Sequence, residues 1–92
     1  MRVTVKIHGT TLKTVSPREI TVEVGEGATV GNLLMKISNS LESDISKAIH
    51  SGRIWKEAMI FLNGLNIIYL KGADTILEDG STLAMIPAVV GG

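Results

Sequence analysis

The apolar residues of this chain change period once, near Thr29, and that change limits the folds open to it. Val3, Val5 and Ile7 alternate with Thr4 and Lys6, and Ile20, Val22 and Val24 alternate with Thr21 and Glu23. Period two with β-branched residues predicts two half-buried strands. A polar connection holding Gly9 and Ser16-Pro17 separates them, so they are expected to pair as a hairpin. After Gly25 to Gly27, apolar residues recur as Val30, Leu33, Leu34, Ile37 and Leu41. Offsets of three and four place them on one face of a helix that can cover the hairpin. Thr29 stands where its hydroxyl can accept from an orphan amide of the first turn, as an N-cap does. An all-α or all-β fold cannot satisfy both periods.

Ser38, Asn39 and Ser40 weaken the helical pattern. A second, shorter helix is expected from about Ser43, burying Ile45, Ala48 and Ile49 and stopping at Gly52. Met59 to Leu62 and Leu65 to Leu70 read as two strands around Asn63-Gly64, a pair suited to a type I′ turn. Lys71 to Gly80 carries Gly72, Asp74, Asp79 and Gly80 and is expected to be irregular, with Asp79-Gly80 as a turn. Thr82 to Ile86 returns to strand character and Pro87 ends it. Leu83 and Met85 are assigned to the core and Ile86 to the opposite, partner-facing side. The fold class is therefore α+β: a mixed sheet with one main covering helix and a short second one.

Composition excludes several functions. At 92 residues the chain makes one domain. Nine basic and nine acidic residues cancel, so no long-range field favours nucleic acid or an anionic membrane. Cysteine is absent, which removes thiolate metal sites, thiol nucleophiles and disulfides. Its apolar runs, such as Ala84 to Val90, fall far short of the roughly 18 residues of a membrane-spanning helix. The N-terminus does not read as a secretion signal, and a cytoplasmic location is expected.

His8 and His50 are the only histidines and make no metal triad; His50 suits a helix C-terminus. Asp74, Glu78 and Asp79 read as solvated turn carboxylates rather than a metal site, and no metal ligand is assigned. No Gly-x-Ser-x-Gly elbow or dinucleotide-binding glycine spacing is present. Trp55, Phe61 and Tyr69 are the only aromatic residues, too few for a base-stacking platform. Trp55 is assigned to packing or a local contact.

The strongest functional signal is the ending Ile86-Pro87-Ala88-Val89-Val90-Gly91-Gly92. Two glycines accept backbone angles closed to other residues and can thread a narrow tunnel. Six residues from Pro87 reach about 20 Å when extended. They can therefore present a carboxylate deep inside a partner.

Four segments together resemble the ubiquitin-like sulfur carriers, the family of ThiS and of MoaD, the small subunit of molybdopterin synthase. They are Gly27-Ala28-Thr29-Val30-Gly31-Asn32-Leu33-Leu34, Phe61-Leu62-Asn63-Gly64, the stretch from Lys71 to Gly80, and the ending Ile86 to Gly92. The resemblance is closest to the molybdopterin branch and implies a β-grasp domain over residues 1–86 and a flexible C-terminal tail over 87–92. It departs from that branch at Ile7 to Leu12 and at Met85 to Ala88, where aromatic residues and a Pro-Pro pair are frequent.

The resemblance implies that an E1-like adenylating enzyme uses ATP to activate the Gly92 carboxylate, and that sulfur then displaces AMP to give a thiocarboxylate. Gly91, Val90, Val89, Ala88 and Pro87 would form the inserted tail and Ile86 the adjoining contact. The second partner implied is the large subunit of molybdopterin synthase. The chain itself would be a protein co-substrate, not an enzyme, and would bind no cofactor stably. Two alternatives stay open: a protein modifier that joins Gly92 to target lysines, and a non-covalent β-grasp adaptor.

Overall fold

A computed structural model describes residues 1–8 and 18–87. Strand β1 (Arg2–Ile7) pairs antiparallel with β2 (Arg18–Glu23), with Val3 opposite Val22 and Val5 opposite Ile20. The expected hairpin partners are thus present, while the connection with Gly9 and Ser16-Pro17 lies outside the described residues. Helix α1 (Val30–Ile37) follows, then α2 (Ser43–Ser51), a short α3 (Ile54–Glu57), β3 (Ala58–Leu62), β4 (Leu65–Asn66) and β5 (Thr82–Pro87). The sheet order is β2-β1-β5-β3-β4. Strand β5 runs parallel to β1 and antiparallel to β3, so the sheet is mixed.

Helix α1 begins as its sequence requires. The Thr29 hydroxyl accepts from the Asn32 amide at 3.1 Å and the Asn32 side chain accepts from the Thr29 amide at 3.0 Å. This reciprocal box satisfies two otherwise orphan donors. Val30, Leu33, Leu34 and Ile37 are buried against the sheet. The α-helix stops at Ile37, and Ser38 to Ser40 form a 3-10 turn. Leu41 therefore reaches the core from beyond that turn and is only half-buried.

The Ser38 hydroxyl is buried and donates to the Met35 carbonyl at 2.9 Å. Its one proton is thereby committed, so the 3.1 Å contact with His50 Nε2 is one in which the ring donates. His50 thus ties the last turn of α2 to the end of α1. Gly52, at φ 81°, closes α2.

One face of the sheet is covered. Val3, Val5, Ile7, Ile60, Leu62, Leu83 and Met85 join the helical residues in a single core. Leu83 and Met85 are fully buried, as their alternation in β5 required. The intervening residues Thr4, Lys6, Phe61, Thr82, Ala84 and Ile86 line the open face and are half-buried or exposed.

Three elements differ from expectation, and the first is β5, which runs through Pro87, the residue expected to end it, because Pro87 still pairs opposite Ala58. Helix α3 was not anticipated; Ile54 and Trp55 were not assigned to a helix, yet Ile54 is fully buried and Trp55 packs on the core. The strand expected from Leu65 to Leu70 ends after two residues. The Asn66 side chain accepts from the Ile68 amide at 3.1 Å and opens a 3-10 turn over Ile67–Tyr69. An Asn side chain that binds the backbone two residues on diverts it from the ladder. The turn leaves Ile68 and Tyr69 71% and 74% exposed.

The Asn63-Gly64 turn behaves as expected, with positive φ at both residues, 50° and 87°. Lys71 to Gly80 is irregular apart from a 3-10 turn over Gly72–Asp74, yet it is firmly attached. The Val30 amide donates to the Thr75 carbonyl, and the Leu77 amide to the Ala28 carbonyl, each at 2.9 Å. Gly31 faces this stretch so closely that a Cβ there would stand 3.2 Å from the Ala73 carbonyl oxygen.

Candidate functional site

The site begins where β5 leaves the sheet. Ile86 stands opposite Met59 and Pro87 opposite Ala58, while Ala84 stands between Phe61 and Lys6. Central placement between β1 and β3 holds β5 on both sides as far as Met85, and Ile86 and Pro87 pair with β3 alone. Ala88, Val89, Val90, Gly91 and Gly92 lie outside the described residues.

Ile86 is half-buried on the open face. Its register partner Met59 is 50% exposed, and Phe61 and Ala84 beside them are half-buried. These four side chains make an apolar strip on the uncovered face, next to the exit of β5. Met59 and Phe61 were not singled out from the sequence as site residues. The signal was the alternation of β3 itself, which puts them on the face opposite Ile60 and Leu62.

The other residues considered fall elsewhere. The Arg2 amide donates to Asp79 Oδ1 at 2.8 Å, and Gly80, at φ 80°, completes that turn. Asp74 and Glu78 are exposed. His8 follows β1, its amide donating to the Met85 carbonyl at 2.9 Å, far along the chain from His50 on α2. Trp55 lines a cleft of about 250 Å³ with Ala58, Ile60, Ile67 and Ile68. Among the described residues no helix is long and apolar enough to cross a membrane.

A mixed five-stranded sheet with β1 and β5 parallel at its centre and one face covered by helix is the β-grasp arrangement of ubiquitin-like proteins. Within that class, the chain belongs to the ThiS family, which it matches over residues 5–92. It is 26% identical to small archaeal modifier protein 3 of Haloferax volcanii, over the full length of both chains. It is 31% identical to a candidate sulfur carrier protein of Archaeoglobus fulgidus over 68 residues, covering 73% of this chain and 77% of that one. The structure also resembles a chain of the complex between subunits 1 and 2 of molybdopterin-converting factor from Helicobacter pylori. That likeness has a TM-score of 0.57 at 21% identity, with both chains covered completely, and is one of fold. The chain is accordingly a ubiquitin-like carrier or modifier of the ThiS type.

Proposed function

We propose that this chain carries sulfur as a thiocarboxylate on Gly92 and delivers it in molybdopterin synthesis, as the small partner of a two-subunit synthase. The observation that carries the sulfur-carrier part is the family match, which runs through the diglycine to residue 92. A carboxylate resists nucleophilic attack because it is already negative and would have to expel oxide. An E1-like enzyme removes that obstacle by joining the carboxylate to the α-phosphate of ATP, releasing pyrophosphate. A sulfur nucleophile then forms a C–S bond as the C–O bond to AMP breaks.

The chain is the substrate of these steps and supplies none of the catalytic groups, and the nucleotide is bound by the partner. A tethered sulfur within a complex reacts at high effective concentration. The folded domain, which β5 carries through Pro87, serves as the grip, and the residues after it as the reach, with Ala88, Val89, Val90 and Gly91 spanning the partner's shell. The strip of Met59, Phe61, Ala84 and Ile86 beside the exit is the surface we assign to the activating enzyme and to the synthase large subunit.

Intact-mass measurement tests this after incubation with the cognate activating enzyme, ATP and a sulfur donor. The expected product has one oxygen replaced by sulfur at Gly92. An unchanged mass with a demonstrably active enzyme refutes it.

A second reading is favoured by the full-length likeness to an archaeal modifier protein. There the activated Gly92 carbonyl is attacked by a lysine amine of a target, forming an isopeptide bond with loss of the activating group. Gly91-Gly92 remnants on target lysines distinguish it. A non-covalent adaptor, by contrast, would keep its partners when Gly92 is deleted.

A further inference from the structure

Four asparagines stand in the chain, and only Asn63 precedes a glycine. Such a pair carries its own reaction. The backbone nitrogen of the glycine attacks the side-chain amide carbon, a C–N bond forms as ammonia leaves, and the resulting succinimide takes up water to give aspartate or isoaspartate. Bulk on the following residue hinders the attack, and Leu33, Ser40 and Ile67 follow the other three asparagines. Asn63 and Gly64 are both exposed, so water has access to the pair.

Two features of the fold oppose this reaction. The ring forms only when the Gly64 nitrogen is nearly eclipsed with the Asn63 Cβ about the Cα–C bond. Asn63, at φ 50°, is in left-handed backbone, where a ψ of about +47° turns that nitrogen almost opposite Cβ. The second feature is a pair of hydrogen bonds. The Asn63 amide donates to the Thr82 carbonyl, and the Thr82 amide donates to Asn63 Oδ1, each at 2.9 Å. The side-chain carbonyl thus takes the place that a main-chain carbonyl holds in a mutually bonded pair. Swinging it toward Gly64 breaks that bond and opens the turn that sets Leu62 opposite Leu65.

The two products leave the turn in different states. Aspartate keeps an oxygen for the Thr82 amide. Isoaspartate routes the main chain through the side-chain carbon and adds a methylene to a two-residue turn. Strands β3 and β4 then no longer meet in register, and Thr82, the first residue of β5, loses its anchor.

We propose that Asn63 is a site of spontaneous deamidation that the native turn holds closed, so that isoaspartate at this position marks molecules whose turn has opened. The chain is its own substrate and water is the co-reactant. The proposal is independent of the chemistry assigned to Gly92.

The test incubates the full-length chain at mildly alkaline pH, folded and in guanidinium chloride, beside the end-blocked peptide Phe-Leu-Asn-Gly-Leu-Asn. Ammonia release and peptide mapping follow the reaction; Asp79-Gly80 can isomerise but has no amide to lose. The folded chain should react about tenfold or more slowly than the unfolded chain, because a local opening must come first. The unfolded chain should match the peptide. Thr82→Pro removes the amide that holds Asn63 Oδ1, at a strand's first position where proline is tolerated. It should speed the reaction of the folded chain about fivefold. The comparison with guanidinium stands whether or not this variant folds. Equal rates in the folded and unfolded chain, earlier conversion at Asn32, Asn39 or Asn66, or a folded Thr82→Pro variant that reacts no faster would each overturn it.

Discussion

Pro87, the last residue of β5, stands directly opposite Ala58, the first residue of β3. The chain therefore leaves the sheet from a paired position at the end of a central strand. The last described residue is thus held in the ladder by β3. The strip of Ile86, Met59, Phe61 and Ala84 lies next to that departure, which makes it separable by mutation from the carboxylate itself.

Ile86→Lys should leave stability nearly unchanged, because Ile86 is half-buried on the open face rather than in the core. It should cost about tenfold or more in kcat/KM for adenylation by the cognate enzyme, equivalent to about 1.4 kcal/mol of lost partner binding. Deleting Gly92 should abolish adenylation with a superimposable thermal melt. A lowered Tm in the Ile86 variant with unchanged kcat/KM would remove the strip from the interface.

Thr29→Ala should lower folding stability by about 1 kcal/mol, since it removes the acceptor for the Asn32 amide. Asn32→Ala removes the other half of the box. The double variant should lose less than the sum of the two, because each side chain orients the other. Chemical denaturation of the four proteins measures this coupling directly.

Leu33→Ala should cost about 2 to 5 kcal/mol, as Leu33 is fully buried between α1 and the sheet. At roughly 4 to 8 °C per kcal/mol for a domain of this size, the melt should fall by at least about 8 °C. A drop of only a few degrees would mean that the core closes over the space.

Gly64→Ala should destabilise by at least about 1 kcal/mol, because Gly64 sits at φ 87° in the turn between β3 and β4. Gly25→Ala is the control: nothing lies within 4 Å of a Cβ there and its φ is not positive. Thermal melts of the pair should separate the backbone effect from loss of a glycine as such.

Where periodicity and punctuation agree, the fold was legible in the residues. Thr29, the Val30 to Ile37 stripe, Gly52 and Asn63-Gly64 each carry a local physical instruction that tertiary contacts did not override. Asn66 shows the opposite case. Composition from Leu65 to Leu70 favours strand, but one side chain bonded to the Ile68 amide redirects the backbone. Helix α3 was hidden for another reason: four residues give too few turns for a period to register. At the candidate site, Ile86 was visible through alternation in β5. Its neighbours became visible only when the β3 register placed Met59 and Phe61 beside it.

The pairing of β1 with β5 at the middle of the sheet also times the protein's birth. Leu83 and Met85, both fully buried, come from the last strand of the described residues. A nascent chain stopped before Thr82 lacks the middle of its own sheet and leaves β1 and β3 without their shared neighbour. The domain therefore takes shape only once Thr82 to Pro87 have been made.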